Sequence, residues 1–140
     1  MVSRWLLQIL LAMEYLHHLN IIHRDIRPRN IFLTAAGNIK LGSFKVSKLL
    51  EDQANYAHTL INSPYYMTPE LLDARAYDHK VDIWAFGCVL FEICSLKPPL
   101  TLASVAELIG KISNKKTEDL PSQYSKTLNS IYQKCMKRNP

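Results

Sequence analysis

The chain has 140 residues, 48% apolar and 21% charged, the size and composition of one ordinary globular domain. Seventeen Lys and Arg against twelve Asp and Glu leave a net charge of +5, which excludes a disordered acidic tail, and only four glycines exclude collagen and a Gly-rich linker. Nucleic acid is not implied. The basic residues are scattered, and Lys111, Lys115 and Lys116 are followed at once by Glu118 and Asp119, as on a solvated face.

Residues 4–19 are rich in Leu, Met and Ala without a breaker, so a helix is expected, apolar nearly all round and buried on several sides. The opening Met1-Val-Ser-Arg4 and the apolar run to Met13 imitate a secretory leader. Gln8 interrupts that run, however, and Glu14, His17 and His18 stand where a small-residue cleavage site belongs. The segment His23 to Asn30 is charged, and Pro28 forbids helix continuation. Ile31–Thr34 and Ile39–Leu41 flank Ala-Ala-Gly-Asn, which reads as a β-hairpin. Residues 43–70 have no sustained period and contain Asn62-Ser-Pro64 and Thr68-Pro69, a long loop of the kind that carries function. Asp78 to Leu96 is a second strongly apolar helix, ended by Lys97-Pro98-Pro99, and two amphipathic helices follow near 102–112 and 123–136. The fold class is mainly α with a small β-hairpin.

Cys88, Cys94 and Cys135 form no C-x-x-C and lie in apolar, helix-like contexts, as buried thiols do in a reducing compartment. The apolar stretch from Ile83 to Cys94 carries Glu92 and is far too short to cross a bilayer. An intracellular, cytoplasmic protein with no membrane partner is expected. His17, His18, His58 and His79 show no metal-ligand spacing and read as structural or surface residues, so no metal cluster is expected.

His23-Arg24-Asp25, four further residues and then Asn30 resemble the H-R-D-x-x-x-x-N catalytic loop of protein kinases, and Asn30 leads straight into the hairpin as that motif requires. Ser63-Pro-Tyr-Tyr-Met-Thr-Pro-Glu70 resembles the family's segment ending A-P-E. Asp82-Ile-Trp84-Ala-Phe-Gly87 resembles the Asp-x-Trp-x-x-Gly start of its central buried helix. Order and spacing agree for all three. Residues 1–140 thus resemble a partial kinase domain, the C-terminal lobe from the helix before the catalytic loop to the penultimate helices. The runs Asn30 to Thr34, Ala57 to Met67 and Cys88 to Lys97 are most similar to the NIMA-related (Nek) serine/threonine kinases.

The resemblance implies ATP and Mg²⁺ as cofactors and a protein substrate or protein partner. Asp25 would orient the attacking hydroxyl and accept its proton, and Asn30 would offer an oxygen to a metal ion. Arg27 replaces the family's lysine near the γ-phosphate, as a planar fork in place of a point charge. Phe32 would lie under the adenine with Val89 and Ile93 supporting it, although core packing is equally open for these three. Asp82 would accept backbone N–H bonds from the catalytic loop, with His23 and Glu70 in structural roles. Thr59 stands where related kinases carry an activating phosphosite and Arg24 would engage that phosphate, although a plain loop threonine remains open. Ser63 and Pro28 favour the serine/threonine branch. The family likeness extends to the cytoskeleton as a location.

The pattern breaks at the metal-binding Asp-Phe-Gly, where this chain reads Ser43-Phe44-Lys45. Ser43 is neutral, so the ion bridging the phosphates loses its main anionic ligand, and Lys45 replaces a glycine free to adopt φ > 0. These 140 residues hold no Gly-rich phosphate loop and no V-A-I-K-type lysine, so half of the adenine cleft is expected to be missing. Glu70 is likewise expected to lack the Arg that the family places beyond Pro140. Two readings follow: a serine/threonine kinase with impaired catalysis, or a pseudokinase-type binding and regulatory module.

Overall fold

The structure is a computed structural model that describes residues 2–45, 47–49, 66, 68, 77–98 and 117–137. Helix α1 spans Val2–His18 and buries Leu6, Ile9, Met13 and Leu16, one stripe at three- and four-residue spacing. It stops where Asn20 takes a left-handed φ of 56°, a conformation asparagine tolerates, while the Asn20 N–H bonds back to His17. Burial on several sides is not what the helix shows. Leu7, Leu11, Tyr15 and Leu19 are exposed, because the core lies along one side of α1 only.

The polar residues of α1 hold the hairpin. Gln8 Oε1 accepts the Ile39 N–H at 2.7 Å, and both Arg4 and Gln8 donate to Asn38 Oδ1. Strands β2 (Ile31–Leu33) and β3 (Ile39–Leu41) pair antiparallel, with Phe32 opposite Lys40. Their loop closes through Thr34, whose backbone exchanges bonds with Gly37 and Asn38, and Gly37 supplies the positive φ that the turn needs. A second antiparallel pair joins β1 (Ile21–Ile22) to β4 (Lys48–Leu49), in a stretch whose second half reads from sequence as plain loop. Two residues per strand are too few to show an alternation.

Helix α2 spans Lys80–Ser95 and is buried nearly all round, from Val81 to Phe91 with little interruption and again at Cys94. Asp78 starts it by accepting the Lys80 N–H at 2.7 Å, and Leu96 in the left-handed region ends it. Helix α3, Lys126–Cys135, begins later than residue 123, because Ser125 caps it by accepting the Leu128 N–H at 3.2 Å. Its Tyr132 ring packs 5.6 Å from that of Phe91. Gly87 lets the two helices meet: a Cβ there would lie 2.8 Å from Cys135 Cβ. The core therefore forms around α2, with Leu6, Ile9 and Met13 of α1 on one side and Tyr132 and Met136 on the other. The helix expected near 102–112 lies outside the described residues. Among the described residues, no helix is long and apolar enough to cross a membrane.

Candidate active site

The loop between β1 and β2 is shaped from beneath by one buried carboxylate. Asp82, in the first turn of α2 and 0% exposed, accepts the His23 N–H through Oδ2 and the Arg24 N–H through Oδ1, each at 2.8 Å. Arg24 itself adopts a left-handed φ of 65°. Asp82 Oδ2 also takes a bond from His17 Nε2 at 2.9 Å. That partner comes from the last turn of α1, with the His79 ring 5.2 Å away. Spacing along the chain carries no signal for a contact spanning 65 positions, and His17 reads from sequence only as a structural or surface residue.

His23 is buried and bridges the loop to the end of the hairpin. Its Nε2 lies 3.0 Å from the Gly42 carbonyl oxygen, and its Nδ1 lies 3.2 Å from the Asp25 N–H. A carbonyl only accepts and an amide N–H only donates, so Nε2 carries the proton and the ring is neutral. Burial holds its pKa below the ordinary 6.5, against the opposing pull of the Gly42 carbonyl and of Asp82 and Asp25.

The segment after Asp25 turns back on it. Arg27 is extended, and Pro28 opens a 3₁₀ turn, Pro28–Asn30, where its missing N–H costs nothing. That turn brings Asn30 Nδ2 to Asp25 Oδ2 at 2.6 Å and to the Asp25 carbonyl at 2.8 Å. The two bonds fix the amide, leaving Asn30 Oδ1 as its uncommitted end among the described residues. Arg27 Nε stands 2.9 Å from Asp25 Oδ1, but its N–H finds no aligned acceptor, so the contact is one of charge. Asp25, Arg27 and Asn30 thus form one cluster on a clamped loop. Arg24 Nη1 donates to the Tyr77 hydroxyl at 3.0 Å.

Phe32 stands on the open face of the hairpin, 54% exposed, with its ring across Gly42. Core packing does not describe it, whereas Val89 is fully buried in α2 and Ile93 packs at the edge of the core. Ser43 has a φ of 66°, so the left-handed backbone falls at this position, and Lys45 lies outside that region. The Phe44 ring meets His23 edge-on at 5.0 Å, and Ser47 Oγ donates to the His23 carbonyl at 3.3 Å. Thr59, Ser63 and Glu70 lie outside the described residues.

A magnesium ion prefers several hard oxygens, at least one of them anionic. The described residues do not fit a tightly held one: Asn30 offers a single amide oxygen, Ser43 offers a hydroxyl, and no three His, Cys, Asp or Glu side chains gather. For an adenine ring the exposed face of Phe32 is a suitable flat apolar surface.

A buried helix whose first-turn carboxylate clamps an H-R-D loop, with an Asn folded back onto the Asp, is the arrangement that the protein kinase resemblance implies. The family model for the protein kinase domain matches residues 1–140, and the chain belongs to that family. It is 40% identical over 136 residues to the serine/threonine-protein kinase Nek1 of Mus musculus, covering 97% of this chain and 11% of that protein. It is also 40% identical to Nek2 of Homo sapiens, covering 93% of this chain and 30% of the relative. A plant relative, Nek6 of Oryza sativa subsp. japonica, shares 40% identity over 99% of this chain and 26% of its own length. The chain thus spans less than a third of these curated relatives.

Proposed function

We propose that this chain is the helix-rich lobe of a serine/threonine protein kinase and that its phosphoryl transfer is far slower than that of a relative with an intact Asp-Phe-Gly. The observation that carries the reading is the Asp25 carboxylate, held by Asn30 at 2.6 Å on a loop that Asp82 clamps. ATP would supply the γ-phosphoryl group, with ADP leaving on the bridging oxygen. Asp25 accepts the proton of the incoming protein hydroxyl through Oδ1 once Arg27 turns from it toward phosphate. Arg27 then balances charge on the transferring group, and Phe32 supports the adenine.

The impairment follows from position 43. A hydroxyl there carries no charge, and each ~1.4 kcal/mol of lost transition-state stabilisation slows transfer tenfold. Ser43→Asp restores the carboxylate at a left-handed position, where aspartate is among the better-tolerated residues. Phosphate transfer to a generic protein substrate should rise at least about tenfold in that variant and vanish in Asp25→Ala. Signal surviving Asp25→Ala, or no gain from Ser43→Asp, removes the reading.

The second reading, a binding module without transfer, is favoured by the same Ser43 and by the engagement of both Asp25 oxygens. It requires that Mg²⁺·ATP leave the melting temperature unchanged. A nucleotide-dependent rise at micromolar concentrations eliminates it.

A further inference from the structure

The positive charge of this chain is local. Six of the seventeen basic residues (Arg24, Arg27, Arg29, Lys40, Lys45 and Lys48) but only one of the twelve acidic residues, Asp25, lie between positions 19 and 49. That segment carries +5, and the remaining eleven basic and eleven acidic residues cancel. It comprises the candidate catalytic loop and the hairpin beside it.

Arg29 sits exposed in the 3₁₀ turn next to Asn30. Lys40 is exposed opposite Phe32 across the strand pair. Lys45 is exposed one residue after Phe44, whose ring rests on His23. The ion pairs of the described residues leave these three cations uncompensated, whereas Arg27 is already met by Asp25. A surplus of one sign raises the local concentration of oppositely charged ligands.

We propose that this face binds an acidic protein segment, a stretch rich in Asp and Glu around the hydroxyl presented to Asp25. The proposal rests on the reading of Asp25 as the hydroxyl-directed base, because that reading brings a protein segment across this loop. A polypeptide fits better than a nucleic acid. The surplus covers one loop and one hairpin where a nucleic-acid track needs a longer stripe. Leu33, 57% exposed, adds apolar contact that a peptide side chain can use.

Fluorescence anisotropy of the full chain tests this with short labelled Ser-containing peptides of equal length, one Glu-rich, one Gln-rich and one Lys-rich. The Glu-rich peptide should bind most tightly and weaken with added salt. Arg29→Glu and Lys45→Glu should each weaken it roughly three- to tenfold, with Arg29→Gln and Lys45→Gln giving smaller losses in the same order. Lys126→Glu, a charge reversal at an exposed position of helix α3, should change nothing. Equal binding of the Gln-rich peptide, indifference to the loop reversals, or tighter binding of an oligonucleotide of matched charge overturns the proposal. The readout needs no phosphate transfer, so its failure and the failure of the kinase reading are separable.

Discussion

Replacing Asp82 by Asn changes one atom and tests the clamp beneath the catalytic loop. The carboxylate accepts three bonds, from the His23 and Arg24 N–H groups at 2.8 Å and from His17 at 2.9 Å, in a site with no solvent access. An amide keeps one accepting oxygen and turns an NH₂ toward donors, so at least one buried backbone N–H loses its partner. Hydrogen bonds to a charged group contribute about 1.5–3 kcal/mol each, and an orphaned buried N–H costs about 1–3 kcal/mol. The left-handed φ at Arg24, about 1 kcal/mol of strain, loses the contact that sustains it. The expected loss is about 3–5 kcal/mol, a large share of the ~5–15 kcal/mol that holds a domain folded. Urea denaturation should show a lower midpoint at unchanged slope, and hydrogen exchange at the His23 and Arg24 amides should accelerate. A loss below about 1 kcal/mol with those two amides still slow would refute the clamp.

Three further outcomes follow from the same packing. Because burial lowers the pKa of His23, the unfolded chain binds the proton more readily than the folded one. The contribution of this residue is therefore complete above the ordinary 6.5 and is lost as pH falls below it. Melting temperature should drop over that window in the parent, and His23→Gln should flatten the drop; equal slopes contradict the assignment. Gly87→Ala sets a Cβ 2.8 Å from Cys135 Cβ, so overpacking of about 1–3 kcal/mol outweighs the ~1 kcal/mol gain in helix propensity. A more stable variant in thermal unfolding would show that the helices part freely. Burial pushes the Cys135 thiol up to about 11 and raises those of Cys88 and Cys94, so native-state alkylation near neutral pH should be slow at all three. Rapid labelling of any of them before denaturation would contradict this.

Much of the candidate site is legible in order and spacing. Asp25, Asn30 and Asp82 stand out because the H-R-D-x-x-x-x-N and Asp-x-Trp-x-x-Gly patterns fix their intervals along the chain, and the fold brings them together at one loop. The hairpin is equally legible, since Gly37 and Asn38 supply the turn chemistry between two short runs that each begin with Ile. The β1–β4 pair is not, because it joins positions more than twenty residues apart through two residues each. For Phe32, apolarity alone does not distinguish core from open surface, and only its exposure in the folded hairpin decides.

By itself the sequence determined the family and the helices of the core, because local propensity and fixed spacing specify these. It also determined that position 43 is uncharged. Tertiary structure decided which side of α1 is buried, that His17 serves Asp82, and that both oxygens of Asp25 are engaged. These depend on where distant segments meet, and the periodicity of one segment carries no information about its neighbour.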